Sequence, residues 1–159
     1  MAIGTDKEFA MHAYVAFLDA LNQRKWSYDR NDDELRIDVG VTGEDLPMDL
    51  IVRFDTEYQI IRLQSLIPFK MDESKRIEGS LATNYINYSL AVGSFDYNVT
   101  DGAIAFRLVQ SFRNSYISSE ICNYLIDVAC YTIDKYNDKL FMLSKGNISM
   151  SEFIEKTDC

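Results

Sequence analysis

The sequence predicts an α+β fold in which helices pack on one antiparallel sheet. Three observations predict it: helical periodicity opens the chain, strand-like alternation follows from Trp26 to Leu63, and helical periodicity returns twice after Pro68 with a hairpin between the two helices. The predicted element order is α-β-β-β(β)-α-β-β-α. At 159 residues we expect a single domain spanning residues 1–159, because a chain of this size buries about 70% of its unfolded surface in one core.

The first helix is predicted over residues 6–24. Thr5 and Glu8 have capping-box spacing, in which the hydroxyl and the carboxylate each accept a hydrogen bond from the other's backbone. The apolar residues that follow recur at helical spacing: Phe9, Tyr14, Phe17, Leu18 and Leu21. We expect this stripe to pack on the sheet.

A period of two then predicts the strands of a meander. The alternating segments are Trp26–Tyr28, Leu35–Val41, Leu50–Phe54 and Tyr58–Leu63. Asn31-Asp32-Asp33 and Asp55-Thr56-Glu57 supply turn-forming side chains, and such short turns require antiparallel neighbours. Pro68 is predicted to close the last of these strands.

A second helix is predicted from a cap at Asp72 or Ser74 to about Ala91. It bears Ile77, Leu81, Tyr85, Ile86 and Tyr88. Gly93 ends it, and the alternating Phe95-x-Tyr97-x-Val99 and Ile104-x-Phe106-x-Leu108 then flank Asp101-Gly102 as a β-hairpin.

The third helix is predicted from Ser118 to Leu143, because apolar residues recur there at spacings of three or four. Gly146 has the position of a left-handed C-cap residue. A last short helix is predicted around Phe153.

The formal charge of −9 argues against nucleic acid and against an anionic membrane as partners, because the 16 lysines and arginines are scattered along the sequence. The amino-terminal residues have no basic stretch or apolar core of signal-peptide length, so we expect a cytoplasmic protein. Cys122, Cys130 and Cys159 make an odd count. On one helix the first two would lie about 12 Å apart, so we expect reduced thiols.

The sequence predicts no catalytic centre, no metal site and no cofactor. His12 is the only histidine, and motifs for phosphate or zinc binding are absent from the sequence. One segment matches the first positions of a calcium-binding loop: Asp29-Arg30-Asn31-Asp32-Asp33. Glu34 then stands where the loop needs glycine, and Gly40 stands where it needs the bidentate glutamate, so a hairpin turn is favoured.

Aromatic and acidic residues are the candidates for binding a protein or peptide partner. Ten tyrosines are a high number for this length, and tyrosine is enriched in the cores of protein interfaces. A run of carboxylates on one face of the third helix, which could select basic partners, would add specificity. The candidate tyrosines are Tyr85, Tyr88, Tyr97, Tyr116, Tyr124 and Tyr131, and the candidate carboxylates are Glu120, Asp127, Asp134 and Asp138.

The chain resembles the YbjN family, whose fold is that of type III secretion chaperones. The resemblance covers nearly the whole chain and is sharpest at Asn84-Tyr85-Ile86-Asn87, at Gly93-Ser94-Phe95-Asp96-Tyr97, at the segment from Asp101 to Arg107, and at Ser118-Ser119-Glu120. It implies a small acidic protein, often dimeric, that binds partner polypeptides or acts as an accessory or regulatory factor. It supplies no catalytic residues.

These observations together predict a non-catalytic protein-binding module, chaperone-like or regulatory, that forms a homodimer through a helix or an exposed sheet edge. The alternative is a small ligand-binding protein or enzyme with a pocket between helices and sheet, in which Arg107 and nearby tyrosines supply the polar groups.

Overall fold

A computed structural model describes residues 4–157, and over that range the chain forms four α-helices and six β-strands. The helices are α1 (Asp6–Gln23), α2 (Arg76–Ser89), α3 (Ser119–Ser144) and α4 (Met150–Lys156). The strands are β1 (Asp29–Asn31), β2 (Arg36–Thr42), β3 (Pro47–Asp55), β4 (Ile60–Lys70), β5 (Ser94–Tyr97) and β6 (Ala103–Ser111). A single 3₁₀ turn at Glu73–Lys75 leads into α2.

The strands form one antiparallel sheet in the order β1-β2-β3-β4-β6-β5. Alternate residues of β2, β3, β4 and β6 are buried, and they form one core with the inner sides of the helices. Phe17 of α1, Phe106 of β6 and Leu140 of α3 are fully buried members of that core. The opposite side of the sheet, which we call the open face, carries exposed or half-buried side chains. The predicted α+β class is therefore confirmed.

The predicted starts of α1 and α3 are confirmed in detail. The predicted cap of α2 at Asp72 or Ser74 was wrong, because α2 begins at Arg76 and neither it nor the 3₁₀ turn before it has a side-chain cap. The Thr5 amide donates to Glu8 Oε2 at 2.6 Å, and the Glu8 amide donates to Thr5 Oγ1 at 3.2 Å, which completes the capping box of α1. Ser118 Oγ accepts from the Ile121 amide at 3.2 Å at the start of α3. Gly146 has φ +71°, as expected of a left-handed residue after a helix.

Two strand predictions were wrong in their limits. β1 contains only Asp29–Asn31 among the described residues, while Trp26 and Tyr28 pack against the core outside the sheet. β4 continues past Pro68 to Lys70, and its pairing with β6 shifts register between Leu66 and Lys70. A proline has no amide hydrogen to give to the ladder, so an irregularity of this kind lets the strand continue through it.

Candidate functional site

The outer side of α2 is an apolar stripe. Ile77, Leu81, Asn84 and Tyr88 are spaced four, three and four residues apart, which puts them on one line of the helix. Ile77 is 74% exposed, Leu81 54% and Tyr88 94%. Asn84 is also exposed and lies in the middle of the line. We call these four residues the α2 stripe.

Small residues and Ile86 form the inner side of α2, and Ile77, Leu81 and Tyr88 point outward. Gly79, Ala82, Thr83 and Ile86 are the buried positions. A Cβ added to Gly79 would lie 2.6 Å from the Tyr97 hydroxyl and 2.7 Å from Met71 Cγ, so the helix sits too close to its neighbours for a side chain there. The sequence prediction of this helix did not separate its two sides.

α2 is fixed to β5 at both ends. The side-chain amide of Asn87 donates to the Phe95 carbonyl at 2.9 Å, and its oxygen accepts from the Phe95 amide at 2.8 Å. The Tyr97 hydroxyl donates to the Arg76 carbonyl at 2.7 Å, and burial raises the pKa of this tyrosine. Asn87 thus forms hydrogen bonds with the backbone at the outer edge of β5, as a neighbouring strand would. These bonds hold the α2 stripe in a defined position.

The structure places the predicted tyrosines in different environments. Tyr88 belongs to the α2 stripe, whereas Tyr85 is half-buried with its ring 6.5 Å from that of Phe153. Tyr97 points inward to α2. Tyr116 is exposed, and its ring contacts Phe9 and His12 at centroid distances of 4.9 and 4.8 Å.

The other six candidates all belong to α3. Tyr124 and Tyr131 are 55% and 68% exposed and alternate along the helix with Glu120, Asp127 and Asp134. The spacing of the carboxylates predicted that they share one side of this helix, and the two tyrosines lie on that side as well.

Contacts within the chain engage most of the α3 carboxylates. Arg24 at the end of α1 donates to Asp127 Oδ1 at 2.6 Å, and Asp134 Oδ1 accepts from the Glu44 amide at 3.1 Å. Asp138 lies 3.5 Å from the Lys139 ammonium. Glu120 is exposed. Less negative charge is therefore free to select a basic partner than the sequence suggests.

Arginines that are far apart in the sequence meet on the open face of the sheet. Arg36 on β2 lies opposite Arg53 on β3, and Arg53 lies opposite Arg62 on β4. The basic residues are scattered along the sequence, but three of them, which we call the arginine row, lie side by side on the sheet. Strand register brings them together, and the sequence separations of 17 and 9 residues carry no sign of it.

Arg107 also lies on the open face, so the predicted role for it in a pocket between helices and sheet was wrong. Its neighbours Phe106 and Leu108 point into the core, and the alternation of β6 turns Arg107 the other way. Its guanidinium donates to the two carboxylate oxygens of Asp96 at 2.7 and 3.0 Å, and this hydrogen bonding raises the pKa of Arg107.

Two cysteines and the calcium-like segment were the other features singled out from the sequence, and the structure describes both. Burial raises the pKa of the Cys122 thiol to about 12 and that of Cys130 to about 11, and both are free thiols. Cys159 lies outside the described residues. Asn31 Oδ1 accepts from the Asp33 and Glu34 amides at 3.1 Å each, which makes the calcium-like segment a turn.

Comparisons with known proteins identify the fold. No family model matches the sequence, and no curated protein matches it. The structure is similar to that of YbjN from E. coli, a proposed transcription regulator, with a TM-score of 0.55 and 12% sequence identity over 79% of this chain and 91% of YbjN. The chain has a YbjN-like fold. This confirms, at the level of the fold, the resemblance to YbjN expected from the sequence.

A second solved structure, that of the HopA1-SchA chaperone-effector complex, aligns with a TM-score of 0.46 and 10% identity. The alignment covers 86% of this chain and 93% of the matched chain. Across residues 4–157 of this YbjN-like chain, no helix is both long and apolar enough to cross a bilayer.

Proposed function

We propose that the protein is a non-catalytic protein-binding module, chaperone-like or regulatory, that acts as a single-domain homodimer built on the α2 stripe. The α2 stripe is the observation that carries this proposal. Free thiols at Cys122 and Cys130 support a reducing compartment, and we place the protein in the cytoplasm on that ground.

The energetic argument is that three large, exposed apolar side chains on one side of a surface helix are costly to leave in water. Single exposed apolar residues are ordinary, but a contiguous patch is typical of an interaction site. Full burial of an isoleucine or leucine side chain stabilises by about 1.5–3 kcal/mol. Covering Ile77, Leu81 and Tyr88 together supplies a driving force for association.

The composition of the stripe favours a second copy of the same chain. It contains no charged residue, so the same surface can face itself across a twofold axis without repulsion. Asn84, in the middle of the stripe, would lie near that axis, where the two amides can form hydrogen bonds with each other.

The edges of the sheet are poorer surfaces for self-association. β1 has three residues, all exposed and polar, and Asn87 already bonds the outer edge of β5 at Phe95. Of the two routes to a dimer that the sequence suggested, the helix is therefore the one we propose.

The test replaces Ile77 and Leu81 together with lysine. The lysines would put unpaired charges inside the interface, so we expect the dissociation constant to rise at least hundredfold, about 2.8 kcal/mol. Sedimentation equilibrium should give twice the 18.3 kDa chain mass for the unmodified protein and 18.3 kDa for the variant.

The matched control replaces Tyr124 and Tyr131 of α3 with lysine, because it adds the same charge at two exposed aromatic positions on another helix. We expect this control to remain dimeric. An unmodified protein of 18.3 kDa at every concentration, or a dimer that survives the α2 double substitution, would contradict the proposal.

A further inference from the structure

The arginine row is a concentration of positive charge in a protein of net charge −9. Arg36, Arg53 and Arg62 occupy directly opposed positions on three adjacent strands. Like charges in that arrangement destabilise a sheet, so folding alone does not favour the row.

Two members of the row have no partner within the described part of the chain. Arg36 is bonded to Asp38 on its own strand at 2.8 Å. The side chains of Arg53 and Arg62 are both exposed, and neither side chain forms a hydrogen bond or an ion pair with any of residues 4–157. Their guanidinium groups are therefore available to an anion from outside the chain.

Both apolar and acidic side chains surround the arginine row. Val109 lies opposite Arg62, and Ile60 lies one position further along the open face, so a bound segment could also bury aliphatic surface. Asp38 and Asp55 lie on the same face, two residues from Arg36 on β2 and two residues from Arg53 on β3.

We propose that the open face binds an acidic helical segment of a partner protein, whose carboxylates pair with Arg53 and Arg62 while its aliphatic side chains cover Ile60 and Val109. This proposal adds the chemistry of the partner to the proposed function. It rests on that function only because it requires that the protein binds another protein. The planar guanidinium is suited to it because it donates two parallel hydrogen bonds to one carboxylate.

The distance between neighbouring arginines of the row matches the distance between side chains on one side of a helix. Opposed residues on adjacent antiparallel strands lie about 4.5–5.5 Å apart, and side chains four residues apart on a helix lie about 5–6 Å apart. Glutamates at positions i, i+4 and i+8 can therefore each approach one strand of the row.

A nucleic acid fits this face less well. A polyphosphate would also pass over Asp38, Asp55 and Asp96, which belong to the same face, whereas separate carboxylates on a peptide can avoid them. The discrete charges favour an acidic peptide over a continuous polyanion.

The test measures binding of a fluorescent helical peptide with glutamates at i, i+4 and i+8 and leucines beside them, at low ionic strength. Replacing Arg53 and Arg62 together with glutamine should weaken binding at least tenfold. The matched control replaces Lys7 and Lys156, two exposed helix residues, with glutamine and should change binding less than twofold.

Reversing the charge of both arginines distinguishes a specific loss of binding from a loss of folding. The double variant with glutamate at positions 53 and 62 should lose the glutamate peptide and bind the same peptide with lysines instead. No binding of the glutamate peptide to the unmodified protein, equal binding by the arginine-to-glutamine variant, or tighter binding of a single-stranded DNA oligonucleotide than of the peptide would overturn the proposal. The α2 stripe is intact in all these variants, so a failure here is separate from a failure of the dimer.

Discussion

The outer sides of α2 and α3 carry similar residues in sequence but differ in the folded protein. Both bear tyrosines and polar residues at helical spacing. On α3, Arg24 and the Glu44 amide engage Asp127 and Asp134 from within the chain. On α2, Ile77, Leu81 and Tyr88 face solvent.

The comparison shows that two exposed helix surfaces can have different roles, depending on whether other parts of the same chain contact them. The α3 surface contributes to the monomer, because its carboxylates join α1 and the β2–β3 loop to the helix. The α2 stripe contributes nothing to the described monomer's core, while the inner side of α2 is packed too closely for a side chain at Gly79. We therefore assign association to α2.

The largest expected effect on stability comes from Asn87, which fixes the α2 stripe in position. Asn87→Ala removes both hydrogen bonds to the Phe95 backbone. We expect the free energy of unfolding to fall by about 2 kcal/mol, since each lost hydrogen bond costs about 1 kcal/mol. Urea denaturation measures this, at a protein concentration held constant so that the proposed dimer contributes equally to each measurement.

Asn147→Ala is the matched control for Asn87, because it makes the same change at an exposed asparagine outside the α2 stripe. We expect the monomer to lose less than about 0.5 kcal/mol, the usual limit for a surface substitution. Equal losses for the two variants would show that the bonds between Asn87 and Phe95 do not anchor the helix.

A smaller effect is expected from α3. Asp127→Asn removes the ion pair with Arg24, in which the Asp127 side chain is 68% exposed, so the loss of stability should be about 0.5 kcal/mol. Because this contact is internal, sedimentation should show unchanged association. A change in the mass of the assembly would place α3 in the interface and remove the contrast between the two helices.

Much of the fold can be predicted from the sequence, because hydrophobic periodicity and helix capping depend on residues that are close together in the chain. The alternation of β6 and the capping boxes at Thr5 and Ser149 are encoded within a few residues, and the structure contains them. The passage of β4 through Pro68 was missed because the shift in pairing that accommodates the proline involves β6, which is remote in the sequence.

The functional surfaces were harder to predict for two physical reasons. The spacing of the α2 stripe is visible in sequence, but large apolar residues on a helix ordinarily face the core, whereas here it is Gly79 that lies close to Tyr97 and Met71. The arginine row depends on strand register, which places Arg53 beside Arg36 and Arg62. That register is a property of the whole sheet.

The most direct test of the central claim is crosslinking at the middle of the α2 stripe. Cysteine would replace Asn84 in one variant and Glu120 of α3 in another, both in a background with Cys159 changed to serine, and each would be treated with a short bis-maleimide. If α2 pairs with a second copy, the Asn84→Cys variant should give a covalent dimer and the Glu120→Cys variant should remain a monomer on a denaturing gel. A dimer from position 120 with none from position 84 would contradict the assignment of association to α2.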